Sequence, residues 1–283
     1  MPRIRLGVAL LLPEPLATGV DALRLACDDG ALGRMVPHIT LAPPVNVRVE
    51  DLGAALRVLR TVAAATKPLT VRLGPPETFL PTTPTLHLGV HEPEASEGSL
   101  GRLRDAVFSP PLERPLSNRF VPHVTISDDM PEPRIAASIA ALAGFVATCT
   151  FERVHLLEEQ RHGDAHRRWV PIADFRFAPT VIVGRGGVEL ELSITQLLDP
   201  EARSFEEIEM AATGETPATE DRPSFAESVI VTARRSGVVV GVARGFATTE
   251  DSKLVSVLVA ADQRGRGIGR QIDAAFTHAA SMV

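Results

Sequence analysis

The segment RMVPHIT at residues 34–40 is written a second time, as RFVPHVT, at residues 119–125. The two copies share Arg, Val, Pro, His and Thr; they differ only in Met35 for Phe120 and Ile39 for Val124. In an extended strand, side chains two residues apart face the same side. His38 and Thr40 therefore share a face, as do His123 and Thr125, while Ile39 and Val124 point the opposite way, toward a core. Similar patterns flank each copy. The first half reads as an apolar strand over 6–12, a helix over 20–27, the motif strand, a helix over 49–65 and a strand over 69–73. The second half reads as a strand over 85–90, a helix over 98–107, the motif strand, an Ala-rich helix over 134–143 and a strand over 149–157, with the alternating stretch 168–177 as one more strand. This pseudo-repeat predicts a duplicated α+β lobe that brings two imidazoles and two hydroxyls into one groove.

That set of groups suits phosphodiester chemistry. Histidine is the side chain whose ordinary pKa lies near neutrality, so one copy can accept a proton while the other donates one. Threonine hydroxyls can donate to non-bridging phosphate oxygens as charge develops there. The sequence does not say which histidine is the acid and which the base. Arg34 and Arg119 stand four residues before the histidines, as candidates for phosphate attraction or as plain surface residues. Trp169, after Arg167 and Arg168, is a half-buried structural residue or a candidate base-stacking ring. His87 and His91, and likewise His162 and His166, are four apart, but they fall in a strand and a polar loop rather than on a helix, and no metal site is expected from them.

Composition narrows the class. The chain has 283 residues, 45% hydrophobic and 23% charged, which fits two soluble domains. Its two cysteines, Cys27 and Cys149, build no disulfide framework and suit a reducing cytosol. No leader peptide and no 18-residue apolar run is apparent, so a cytoplasmic protein without membrane contact is expected. Net charge is −6 overall; residues 1–179 carry 19 Lys and Arg against 20 Asp and Glu, and residues 180–283 carry 10 against 15. Neither part is a basic nucleic-acid-coating surface, so any nucleic acid partner is a small nucleotide or an RNA end.

Residues 1–178 resemble the two-histidine (2H) phosphoesterase superfamily, which includes 2′-5′ RNA ligase and cyclic phosphodiesterase proteins. The resemblance rests on the two His-hydrophobic-Thr motifs, His38-Ile39-Thr40 and His123-Val124-Thr125. It implies a bilobed fold of two antiparallel sheets around a central cleft, with His38, Thr40, His123 and Thr125 as the catalytic set. It implies hydrolysis of 2′,3′-cyclic phosphates or related cyclic nucleotides.

A second unit is expected over 179–283. Residues 189–194 alternate as a strand, 203–212 read as a helix, and 229–234 with 238–246 form a hairpin turning at Ser236-Gly237. A strand over 253–259, a Gly-rich turn and a helix over 269–281 follow. Glycines 265, 267 and 269 allow a tight turn, and the helix start behind it presents free amides to an anion. The string Arg264-Gly265-Arg266-Gly267-Ile268-Gly269 resembles the acetyl-CoA motif of GNAT acetyltransferases. The resemblance implies that amides from Gly265 through Arg266, Gly267 and Gly269 to Arg270 hold a CoA pyrophosphate and that the strand at Leu258 and Val259 pairs with the pantetheine arm. The chain carries no tyrosine, the general acid many members use, and the pattern stops after the helix, so a partial GNAT-like α/β domain is expected. The edge left beyond 254–259 is expected to be covered by the first domain or by a second copy.

Three functions remain open from sequence. One is a metal-independent cyclic phosphodiesterase fused to an acetyl-CoA module. Another is an N-acetyltransferase whose first domain selects a nucleotide or RNA-linked substrate. The third is a nucleotide- or CoA-binding protein without turnover.

Overall fold

The computed structural model describes residues 2–27, 29–30, 32–162, 166–177, 181–185, 188–213 and 223–281. The chain divides into two compact units, Met1–Pro171 and Ile172–Val283. The border expected at 178/179 lies outside the described residues.

The first unit holds two four-stranded sheets. Strands β1 (Arg3–Leu11), β2 (His38–Arg48), β7 (Arg153–His162) and β8 (His166–Arg176) form one sheet in the order β2-β1-β7-β8. Strands β3 (Leu69–Thr78), β4 (Leu86–His91), β5 (His123–Ser127) and β6 (Ala147–Phe151) form the other in the order β5-β4-β3-β6. The pairs β1 with β2, β1 with β7, β3 with β4, β3 with β6 and β4 with β5 all run antiparallel. Each motif strand therefore occupies an edge of its sheet, with β1 or β4 beside it. Helices α1 (Leu16–Ala26), α2 (Leu52–Ala65), α3 (Ser99–Val107) and α4 (Glu132–Ala141) complete the unit. In α2, Ala55, Leu56, Leu59 and Ala63 recur at helical spacing and are buried.

The duplicated lobe is present, but its halves exchange strands. The stretch expected as one strand over 149–157 is two strands, parted at Glu152. The first, β6, pairs with β3, and the second, β7, crosses to pair with β1. The strand that ends the first sequence half, β3, likewise pairs with β4 of the second half. The apolar-polar alternation changes phase at the break: Cys149 and Phe151 are buried before it and Val154 and Leu156 after it, with the polar pair Glu152-Arg153 between them.

The second unit is a five-stranded sheet, β13-β12-β11-β10-β9. Its strands are β9 (Val181–Arg185), which sequence reading passed over, β10 (Val188–Thr195), β11 (Glu227–Arg235), β12 (Val238–Ala247) and β13 (Ser252–Val259). Positive φ at Ser236 and Gly237 makes the hairpin turn expected there. Helix α6 (Ile268–Ala280) lays Ile268, Ile272 and Phe276 on one sheet face with Val229, Val231 and Ala233. A Cβ at Gly245 would lie 2.6 Å from the Phe276 ring, so glycine permits this close approach. Helix α5 (Pro200–Thr213) covers the other face at Ile230 and Val242 through Ala202.

Carboxylate–arginine pairs fasten the α5 segment, among them Glu201 at 3.5 Å from Arg234 of β11. Asp199, just before the helix, meets Arg234 of β11 at 2.8 Å, Glu206 meets Arg244 of β12 at 3.3 Å, and Glu209 meets Arg264 of the Gly-rich turn at 3.2 Å. Asp199 also accepts the Ala202 amide at 2.8 Å, capping the helix. Arg234 and Asp199 are both almost fully buried, so removing Asp199 leaves the guanidinium only the longer contact with Glu201. Asp199→Ala is expected to cost about 3–5 kcal/mol in urea unfolding of this unit, and the double change Asp199→Leu with Arg234→Met to cost clearly less.

Candidate functional site

Both motif strands begin at their histidine, directly after a proline. The imidazole folds back on the carbonyl two residues earlier: His38 Nδ1 lies 2.8 Å from the Val36 oxygen, and His123 Nδ1 lies 2.8 Å from the Val121 oxygen. A carbonyl only accepts, so Nδ1 carries the hydrogen in both rings and the reactive lone pair of the neutral ring is on Nε2. In the first copy the Thr40 hydroxyl sits 3.0 Å from His38 Nε2 and donates to it in that state. Burial brings the His38 pKa down to about 4; the Val36 carbonyl works against the shift, and Arg24 and His123 add to it. His38 is thus neutral near pH 7.

Arg24 is the residue that sequence reading missed. It comes from α1, is only 2% exposed, and reaches both motif segments. Its Nε donates to the Thr125 carbonyl of β5 at 3.1 Å, and its Nη1 donates to the Met35 carbonyl ahead of β2 at 2.8 Å and to Asp21 at 3.3 Å. One guanidinium fork therefore joins the two copies. An arginine amid LRLAC carries no motif that would have marked it.

Beside His38 and Thr40 opens a cavity of about 270 Å³. Its floor is made of small residues, Gly7, Ala9 and Ala42, and Trp169 stands over Gly7, where a Cβ would lie 3.4 Å from the indole. The Trp169 amide donates to the Arg34 carbonyl at 2.9 Å, which fixes the ring's backbone to the first motif. Arg34 and Arg119 are both exposed, and only Arg34 lines the cavity. Asp128 reaches the same cavity from the end of β5 and accepts a hydrogen bond from Thr85 at 3.0 Å. Arg167 is engaged by Glu159 at 3.0 Å.

The other sequence candidates separate by geometry. His87 and His91 flank the Glu77 carboxylate, each 3.7 Å from one of its oxygens. No set of three ligating side chains is placed for a metal among the described residues. His162 and His166 end β7 and begin β8, and their side chains are not described.

In the second unit Leu258 and Val259 end β13, an edge strand of the sheet. The turn behind it is exposed from Arg264 to Gly267, with φ of +77° at Gly265 and +80° at Gly267. Nothing lies within 4 Å of a Cβ built on either glycine. The first amide past the turn with a backbone acceptor is Gln271, which donates to Gly267 at 3.3 Å. The amides from Gly265 through Gly269 to Arg270 are available to an anion, so the turn fits a diphosphate. Arg264 is turned away from it: its Nε donates to the Val259 carbonyl at 3.0 Å and its Nη2 to Glu209.

Three histidines make the first unit acid-sensitive. Burial lowers His38 and His87 to about 4 and His155 to about 3, from an ordinary 6.5. Between those values the unfolded chain binds protons that the folded protein refuses. Stability is therefore full above about pH 6.5 and falls as pH drops toward 4. Urea midpoints measured at pH 7 and pH 5 are expected to differ in the parent protein and to differ less in His155→Gln.

Comparison with known proteins follows the same division. Residues 12–163 match the family model of the 2′-5′ RNA ligase superfamily, and residues 192–282 match that of the acetyltransferase (GNAT) family. A Halalkalibacterium halodurans protein named "Putative phosphoesterase" is 26% identical over 136 residues, 48% of this chain and 77% of that protein. Another so named, from Bacillus mycoides, is 26% identical over 162 residues, 56% of this chain and 91% of that protein. The crystal structure of E. coli LigT complexed with 3′-AMP superposes with a TM-score of 0.47 at 19% identity, covering 62% of this chain and 99% of LigT. With its family match spanning more than half of its length and a GNAT region following, the chain belongs to the 2′-5′ RNA ligase superfamily.

Proposed function

We propose that the first unit hydrolyses 2′,3′-cyclic phosphates of a nucleotide or RNA end. The observation that carries this reading is the pair of motif histidines, each with Nδ1 tied to a carbonyl at 2.8 Å and both joined through Arg24. A water attacks phosphorus and gives its proton to Nε2 of neutral His38. The bond from phosphorus to one ribose oxygen breaks, and His123 in its protonated form supplies the proton that oxygen takes up. As the water takes over the Nε2 lone pair the Thr40 hydroxyl turns from it, and Thr40 and Thr125 donate to the non-bridging oxygens. The cavity beside His38 takes the nucleoside, with its base over Gly7, Ala9 and Ala42 and against Trp169. Stacking of a splayed base on an aromatic ring is the usual way proteins hold single-stranded RNA.

The second unit, on this reading, binds acetyl-CoA. Gly265, Arg266, Gly267, Gly269 and Arg270 would hold the diphosphate through their amides, and Leu258 and Val259 would lie along the pantetheine arm. The bound group would supply an acetyl donor. The open, positive-φ turn supports this assignment.

Two assays test the proposal. Purified protein in EDTA is expected to hydrolyse 2′,3′-cyclic AMP, and His38→Ala or His123→Ala to lower kcat/KM by about 10²-fold or more. Absence of hydrolysis on mononucleotides and short cyclic-ended RNAs would overturn it. The acid limb of kcat/KM is expected near pH 4, where His38 gains its proton. CoA is expected to raise the Tm of the parent protein and not of Gly267→Trp.

A further inference from the structure

The two sheets correspond strand for strand, and the match exposes one place where they differ. In the first sheet the row across β2, β1 and β7 is Thr40, Ala9, His155. In the second, the row across β5, β4 and β3 is Thr125, His87, Glu77. The small Ala9 beside Thr40 leaves the cavity open; the residue in its place beside Thr125 is an imidazole. His87 is 1% exposed and stacks on Phe79, with centroids 4.0 Å apart and planes at 22°. Both rings of this stack meet His123 edge-on: Phe79 at 4.9 Å and 89°, His87 at 5.3 Å and 67°. Two residues further along β4, a Cβ on Gly89 would lie 2.4 Å from Glu77 Oε1, so the glycine leaves room for the carboxylate to lie beside His87.

From this geometry we infer that His87 is a positioning residue: with Phe79 it forms a fixed aromatic wall that sets the orientation of the His123 ring. The Val121 carbonyl fixes one nitrogen of that ring, but a single hydrogen bond leaves the ring free to rock about it. The stacked pair removes that freedom. Because burial holds His87 down to about 4, the wall is uncharged at neutral pH and does not oppose protonation of its neighbour. A histidine serves here where leucine would not, since its flat ring stacks on Phe79 and its Nε2 faces Glu77. The catalytic part of the inference rests on the hydrolytic reading of His38 and His123; the structural part does not.

The test uses the full chain with ¹³C-labelled histidine. In His87→Leu, which keeps the volume apolar but removes the ring, the His123 ring resonances are expected to shift and broaden as the ring current of His87 and the edge contacts are lost. His87→Phe is expected to keep them within the parent's line width. With 2′,3′-cyclic AMP, His87→Leu is expected to lower kcat by about tenfold or more with KM changed less than about twofold, and His87→Phe to restore kcat. Unmoved His123 resonances in His87→Leu would overturn the inference, as would a loss in His87→Phe as deep as in His87→Leu. If the parent protein hydrolyses nothing, the hydrolytic reading falls, and the resonances alone still decide whether His87 orients His123.

Discussion

Everything at the candidate site depends on one buried guanidinium. Arg24 spans the carbonyls of Met35, just ahead of β2, and Thr125 of β5, which belong to different copies of the motif. A cation this deep is tolerable only when its donors are satisfied, and here two carbonyls and Asp21 satisfy them. The arrangement ties the two motif segments to one another, which is what the proposed sharing of one phosphate by His38 and His123 requires. It also places a permanent positive charge near His38, which helps keep that ring neutral.

Duplication explains why the site has two of each group, and divergence explains why its halves behave differently. Each motif strand lies at a sheet edge with an equivalent central neighbour. In the first sheet that neighbour contributes Gly7 and Ala9, and space results. In the second it contributes His87, and the space is filled by the stack with Phe79. One side of the cleft is thus built to receive a group and the other to hold a ring still. The exchange of β3 and β7 between the halves joins both sheets into one unit, so neither half of the repeat is a separate body.

Much of this was legible in the residues. The repeated heptad marked both motif strands, since period-two alternation puts His and Thr on one face and Ile or Val on the other. The hairpin at Ser236-Gly237 and the turn at Gly265 and Gly267 were legible because positive φ demands such residues. The break at Glu152 was marked only by a one-residue change of phase, the polar pair Glu152-Arg153 between buried Phe151 and buried Val154, and the change of partner strand that goes with it is a long-range feature. Arg24 and His87 were not legible. Both act through long-range packing: one reaches 101 residues along the chain, and the other matters through a stack with Phe79 and an edge contact with His123. Arg34 and Arg119 stand in nearly the same sequence context and are both exposed, yet only Arg34 lines the cavity, a difference the repeat could not show.

The central claim is that the two motif copies form one phosphate site. Titration of the ¹³C-histidine-labelled protein with 2′-AMP, a product-like phosphate monoester, tests it directly. The account predicts that the His38 and His123 resonances both move, with one common midpoint. Movement of only one ring, or two unrelated midpoints, would contradict it.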